Sequence, residues 1–237
     1  MSAETAEGFA GLVRVHQRLI READGDTCGP FLYPPARRTA RDWWPRFAQT
    51  GYESTDPAAL DLGGTESFHD IDTARLDAAI QHVVDVEGPV HIRVLAERLL
   101  TAADVGRLGA RIREHIAERL DAFEGGAEMI QHGDVVGRPE HHRAPPVRDR
   151  SELPDKLREL DYVPESERMQ ALLYAVLDNE GTEVDEAMRA GLEMLGFARL
   201  TDNAREQLRA PLDALLTRGM LRERDGCLWL GKEAFVR

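Results

Sequence analysis

Mainly α with small β-wings, an α+β class built from two copies of one unit behind an N-terminal helical extension, is the fold this sequence predicts. Three observations predict it. One pattern occurs twice, about 93 positions apart: Glu87-Gly88-Pro89-Val90 answers to Glu180-Gly181-Thr182-Glu183, and Gly133-Asp134-Val135-Val136 to Gly226-Cys227-Leu228-Trp229. Arg107 lies near the counterpart of Arg199. In each copy an apolar helix ends at Glu-Gly, a short extended piece follows, and two amphipathic helices lead to a β-like segment with a Gly-containing turn. Helix, strand, helix, helix, β-wing is the order of a winged helix. A repeat of this kind constrains the fold strongly, because each copy must bury the same face.

The elements follow in order. An amphipathic helix is predicted over residues 4–22, with Phe9, Leu12, Val13, Leu19 and Ile20 apolar. Phe31-Leu32-Tyr33 is stopped by Pro34-Pro35, and a second helix over 36–49 bears Trp43, Trp44 and Phe47. Residues 51–66, rich in Gly, Asp, Ser and Thr, read as a linker that closes an extension spanning 1–66. The first winged-helix-like domain is expected over 67–137. Leu76, Ala79, Ile80, Val83 and Val84 recur at helical spacing and Gly88-Pro89 stops them. Val90-His91-Ile92 supplies a short strand, Leu95, Ala96, Leu99 and Leu100 a second helix, and Leu108, Ile112, Ile116, Leu120 and Phe123 a third. Met129-Ile130 and Val135-Val136 flank a small hairpin turn.

A polar, Pro-rich connector is expected over 138–160, and the second winged-helix-like domain over 161–237. Pro164 suits a first helical turn. Apolar stripes follow at Met169, Leu172, Leu173, Val176 and Leu177, at Met188, Leu192 and Leu195, and at Leu208, Leu212, Leu215 and Leu216. Gly219-Met220-Leu221 and Leu228-Trp229-Leu230 enclose Asp225-Gly226, a strong hairpin signal.

Composition narrows the function classes. No apolar run approaches the roughly 20 residues that span a bilayer, and the N-terminus lacks the basic start and apolar core of a secretory signal. A cytoplasmic protein without membrane partners is expected. Cys28 and Cys227 are remote from one another, a poor basis for a disulfide framework. The formal charge of −13 is spread over the chain, −3 for residues 1–66, −4 for 67–150 and −6 for 151–237. Acidity of this kind repels phosphate unless cations gather on one face.

The stretch from Ile80 to Leu120, with VVDVEGPVHIRVLAERLL and VGRLGARIREHIAERL, resembles an uncharacterised C-terminal domain of large bacterial superfamily I helicases, which often also carry a Vsr-like endonuclease module. Pro145-Pro146-Val147-Arg148, Leu195-Gly196-Phe197-Ala198-Arg199 and Arg224-Asp225-Gly226-Cys227-Leu228 stand where such chains have a Pro-Pro connector, a second helical unit and a hairpin. The resemblance covers roughly residues 70–231. It implies an accessory part that works beside a helicase or nuclease partner in DNA repair or defence against foreign DNA. No Gly-x-x-x-x-Gly-Lys-Ser/Thr loop occurs, so no ATPase is carried over.

The third helix of each copy would be the recognition helix of a winged helix-turn-helix. In the first it carries Arg107, Arg111, Arg113 and Arg119 against Glu114 and Glu118, and a basic edge is expected where Arg111 and Glu118 part onto different faces. The second carries Arg199, Arg205 and Arg209 against Asp202, Glu206 and Asp213, and Arg222 and Arg224 are placed for wing contacts. Double-stranded DNA is the expected ligand of these arginines; the competing reading is solvated helix faces held by internal ion pairs. Trp43, Trp44 and Phe47, set among Arg37, Arg38, Arg41 and Arg46, are the candidate partner-binding residues, with docking of the aromatics preferred over stacking on single-stranded bases. His132, His141 and His142 read as exposed loop histidines, since a closed zinc site wants four ligands and both cysteines are distant. His91 reads as a satisfied polar group at a helix start. No nucleophile–base set emerges, so no catalytic residue, metal or cofactor is expected, and the chain is read as more binding module than enzyme. The alternative is an acidic protein–protein scaffold, like the small adaptors that clasp kleisins, with no direct DNA contact.

Overall fold

The computed structural model describes residues 49–64, 67–126, 128–143, 146–179 and 181–231. The expected helix over 4–22, the Phe31-Leu32-Tyr33 segment, Trp43, Trp44 and Phe47 with their neighbouring arginines, and Cys28 lie outside them. The fold is mixed α and β with small sheets, and divides into two compact units. One comprises Tyr52–Pro145 and Glu152–Glu167; the other holds, of the described residues, 49–51, Pro146–Ser151 and 168–231.

In the first unit α1 (Thr73–Glu87) starts where the Asp72 carboxylate accepts from the Ala74 and Arg75 N–H groups. Its stripe of Leu76, Ile80, Val83 and Val84 is wholly buried. Strand β2 (Val90–His91) leads directly into α2 (Ile92–Ala102), so Ile92 belongs to the helix rather than the strand. Helix α3 (Ala110–Gly125) turns Ile116, Leu120 and Phe123 inward at intervals of four and three. Each such side chain contributes about 1.5–3 kcal/mol when removed from water. Strands β3 (Ile130–His132) and β4 (Val135–Gly137) form the hairpin, which pairs with β2 in the order β2-β4-β3. Helix α4 (Pro139–Arg143) follows.

The second unit repeats this order. Helix α5 (Glu165–Asp178), which begins just inside the first unit, precedes β6 (Thr182–Glu183), α6 (Val184–Met194) and α7 (Asp202–Thr217). Strands β7 (Leu221–Arg224) and β8 (Cys227–Leu230) then complete a sheet in the order β6-β8-β7. Strand β1 (Gln49–Gly51) pairs in parallel with β5 (Val147–Asp149) to make a separate two-stranded sheet.

Three expectations need correction. Gln49 opens a strand instead of ending a helix. Residues 51–66 are more than a linker: Leu60 and Leu62 join the first unit's core, and a 3-10 turn over Pro57–Leu60 starts at an Asp56 cap. Two leucines in a polar run leave no periodic trace, which is why composition hid them. The connector carries α4, β5 and two 3-10 turns, and its Leu157 is buried.

Strand register also moves the alignment of the copies by one residue. Val90 opposite Val136 matches Thr182 opposite Leu228, and α2/α6 and α3/α7 have identical lengths at an offset of 92. Pro89 therefore corresponds to Gly181, and Val135-Val136 to Cys227-Leu228. Matching the two Glu-Gly pairs by identity shifted the frame: α1 and α5 start 92 positions apart, as do β2 and β6, whereas the Glu-Gly pairs stand 93 apart. Gly181 sits at φ +76° with the Trp229 ring where a Cβ would stand, so glycine alone fits there.

Candidate nucleic-acid interface

The sequence placed the candidate arginines on third helices, but Arg107 and Arg199 precede them, in loops 105–109 and 197–201. They remain equivalent positions at the 92-residue offset, as do Arg113 and Arg205. The two copies use these residues differently.

Residues 105–113 hold Arg107, Arg111 and Arg113 and no carboxylate, and all three side chains are exposed. None makes an ion pair among the described residues. Gly109 caps α3 in extended geometry with no side-chain hydrogen bond, and no acid occupies the first turn. The free N–H groups of a helix start carry partial positive charge, and a cation there costs about 0.3–1 kcal/mol. This helix start is thus cationic three times over and uncapped. Helices α1 and α7 are treated oppositely: Asp72 caps the first, and the Thr201 hydroxyl accepts from Ala204 N–H at 3.1 Å at the second, with Asp202 in its first turn.

Arg205, the counterpart of Arg113, is engaged. Its guanidinium donates to both oxygens of Asp185, at 3.2 and 2.8 Å, and to Asp202 at 2.9 Å. Hydrogen bonding to Arg205 holds the Asp185 carboxyl below its ordinary value. Arg119 likewise spans from α3 to α1, donating to the two oxygens of Asp77 at 2.7 and 2.8 Å. Arg199 and Arg209 are exposed. Arg222 lies on the exposed side of β7, and Arg224 is 3.5 Å from its neighbour Asp225, a pair so open to solvent that it adds little.

The expected basic edge of α3 is confined to its start. Seven residues make two turns, so Arg111 and Glu118 share a face. Glu114, Glu118 and Asp121 continue it as an exposed acidic stripe opposite Ile116, Leu120 and Phe123. Helix α7 repeats that stripe: Glu206 and Asp213 stand 92 residues after Glu114 and Asp121, also exposed. The individual acids were legible in the sequence; their equivalence needed the corrected offset.

The histidines are not loop residues. His132 is on β3, and His141 and His142 are on α4, both partly covered. Among the described residues no group of three or more His, Cys, Asp or Glu side chains is arranged to hold a metal ion. His91 caps α2, its Nδ1 accepting from Arg93 N–H at 3.0 Å, while its ring packs 4.8 Å from that of Tyr162. The chemistry this surface offers is anion binding, by charge and by free N–H groups.

A family model described as a protein of unknown function (DUF3320) matches residues 66–114, which include α1, β2, α2 and the whole arginine segment. No curated protein and no solved structure matches the chain. No helix among the described residues is long and apolar enough to cross a membrane.

Proposed function

We propose that this chain is a non-enzymatic accessory protein made of tandem winged-helix-like units, and that its first unit binds the phosphate backbone of duplex DNA beside a helicase or nuclease partner. One observation carries the reading: Arg107, Arg111 and Arg113 stand exposed, without an ion pair among the described residues, around a helix start with no side-chain cap, in a stretch free of carboxylates. Such an arrangement opposes helix stability locally, and a rule broken without local return marks a site of function. An anion at that helix end would satisfy both the guanidinium groups and the free N–H groups. The shared order of strands, β2-β4-β3 and β6-β8-β7, supports the winged-helix reading. So does the resemblance to helicase C-terminal regions, because the family match falls largely within the stretch that carries it.

The second reading, a protein-binding scaffold without DNA contact, is favoured by one specific observation. Glu114/Glu206 and Asp121/Asp213 recur on the outward faces of both third helices, where insertion along a groove would set them against phosphate. Mobility shift of a labelled duplex at low salt separates the two. The Arg107→Glu/Arg111→Glu double variant is expected to abolish the shift, while Arg199→Glu/Arg209→Glu keeps most of it. No shift by the natural protein favours the scaffold, and equal loss in both variants would contradict DNA binding by the first unit alone.

A further inference from the structure

Every described histidine lies in the first unit, at positions 69, 82, 91, 115, 132, 141 and 142, and three converge where α4 covers the hairpin. The His132 and His142 rings meet edge to face with centroids 4.5 Å apart. His142 Nε2 lies 3.1 Å from the Ile130 carbonyl on β3 and, since a carbonyl only accepts, must carry the proton. The next ring, His141, accepts through Nδ1 from Arg138 N–H at 3.2 Å, so that nitrogen is unprotonated in the closed arrangement.

Two glycines make room for these rings. A Cβ on Gly137 would stand 3.0 Å from His142 Nε2, and one on Gly88 would overlap the His141 ring. Both side chains are therefore seated on bare backbone, one at the end of β4 and one at the end of α1. From these contacts we infer that His142, seated between the His132 ring and the Ile130 carbonyl, is an acid-sensitive latch that holds α4 on the first hairpin while neutral and releases it on protonation.

The surrounding charges set the direction. His142 faces His132 from β3 and His141 from its own helix. Burial is the largest influence lowering its proton affinity, the Ile130 carbonyl opposes that, and the two neighbouring histidines lower it further. On the α1 side Arg138 is paired with Asp85, which also feels His82 and His141, while Glu128 and Glu140 lie near Arg138. Asp85 thus faces His141 as well as Arg138, whereas the charged groups that act on His142 are His132 and His141. A histidine whose folded value is depressed binds its proton more readily in the open state. Closure is thus favoured above about pH 6.5 and weakens as pH falls below it, by up to about tenfold per pH unit for one proton.

Amide hydrogen exchange of the full chain, corrected for the intrinsic pH dependence and read by NMR at pH 7.5 and 5.5, tests this. Protection of the amides from Ile130 to His142 is expected to fall several-fold on acidification, while those of β7 and β8, a hairpin without histidine, keep theirs. His142→Gln retains an N–H donor for Ile130 but does not titrate, and should abolish the fall. Unchanged protection in the natural protein, or an undiminished fall in His142→Gln, overturns the latch. Should that variant fail to fold, His132→Asn, which removes the facing charge and leaves the α4 bond intact, is expected to shrink the fall. An equal fall in that variant overturns the latch too.

Discussion

At Glu87 a carboxylate with no exposed surface is the meeting point of three chain segments. Arg98 donates to its two oxygens at 2.7 and 3.2 Å, the Tyr52 hydroxyl at 2.8 Å, and the Thr55 backbone N–H at 2.8 Å. Removing one partner of such a pair strands the other charge, so Glu87→Ala is expected to cost about 3–5 kcal/mol. Replacing Glu87 and Arg98 together by methionine should cost far less, since neither charge is then left alone. Exchange protection of α1 and α2 amides measures both. The sequence displayed Glu87 as part of a repeated motif but not as this node, because Tyr52 and Thr55 lie more than thirty residues upstream in a run read as linker. His91 was more legible, since its role is local. Burial lowers its proton affinity, with Asp134 and Asp161 acting the other way. The sign follows: the unfolded chain takes the proton first, so His91 destabilises the first unit as pH falls below about 6.5. His91→Asn keeps a good helix cap that does not titrate, and a flatter stability–pH curve between pH 7 and 5 is expected from denaturant unfolding.

Among the elements, α7 shows how a broken rule is repaired from outside. Pro211 lies inside the helix and buried, with no N–H to offer the Gln207 carbonyl four residues earlier. Arg168, from α5, donates to that carbonyl at 3.2 Å. An interior proline costs roughly 3 kcal/mol against alanine, so Pro211→Ala should stabilise the second unit. Arg168→Ala should destabilise it by about 1–3 kcal/mol, and by less in the Pro211→Ala background, where the helix supplies its own donor. A double-mutant cycle on unfolding midpoints gives the coupling. Helix bounds and hairpin turns were readable because periodicity, glycine and capping residues act over a few positions. Register was not: the two Glu-Gly pairs stand at positions that do not correspond, so matching them by identity gave 93, and the strand pairs Val90–Val136 and Thr182–Leu228 give 92.

Across the whole molecule the copies share a scaffold and differ at its surface. Their equivalent arginines, Arg113 and Arg205, are exposed in one and tied to Asp185 and Asp202 in the other. That difference could not be read from charge counts, because a formal charge of −13 does not say which cations are already paired. It also makes the functional proposal quantitative. Three phosphate contacts release about 0.9 counterions each, so the logarithm of affinity should fall against the logarithm of salt with a slope near −2.7. Fluorescence anisotropy of a labelled duplex of about 30 base pairs, titrated with the protein over a salt series, measures that slope directly. A slope of roughly −2 to −3 that falls by about 2 in Arg107→Glu/Arg111→Glu, and stays nearly unchanged in Arg199→Glu/Arg209→Glu, is the predicted result. Absence of binding at the lowest salt, or a slope indifferent to Arg107 and Arg111, would contradict DNA recognition by the first unit.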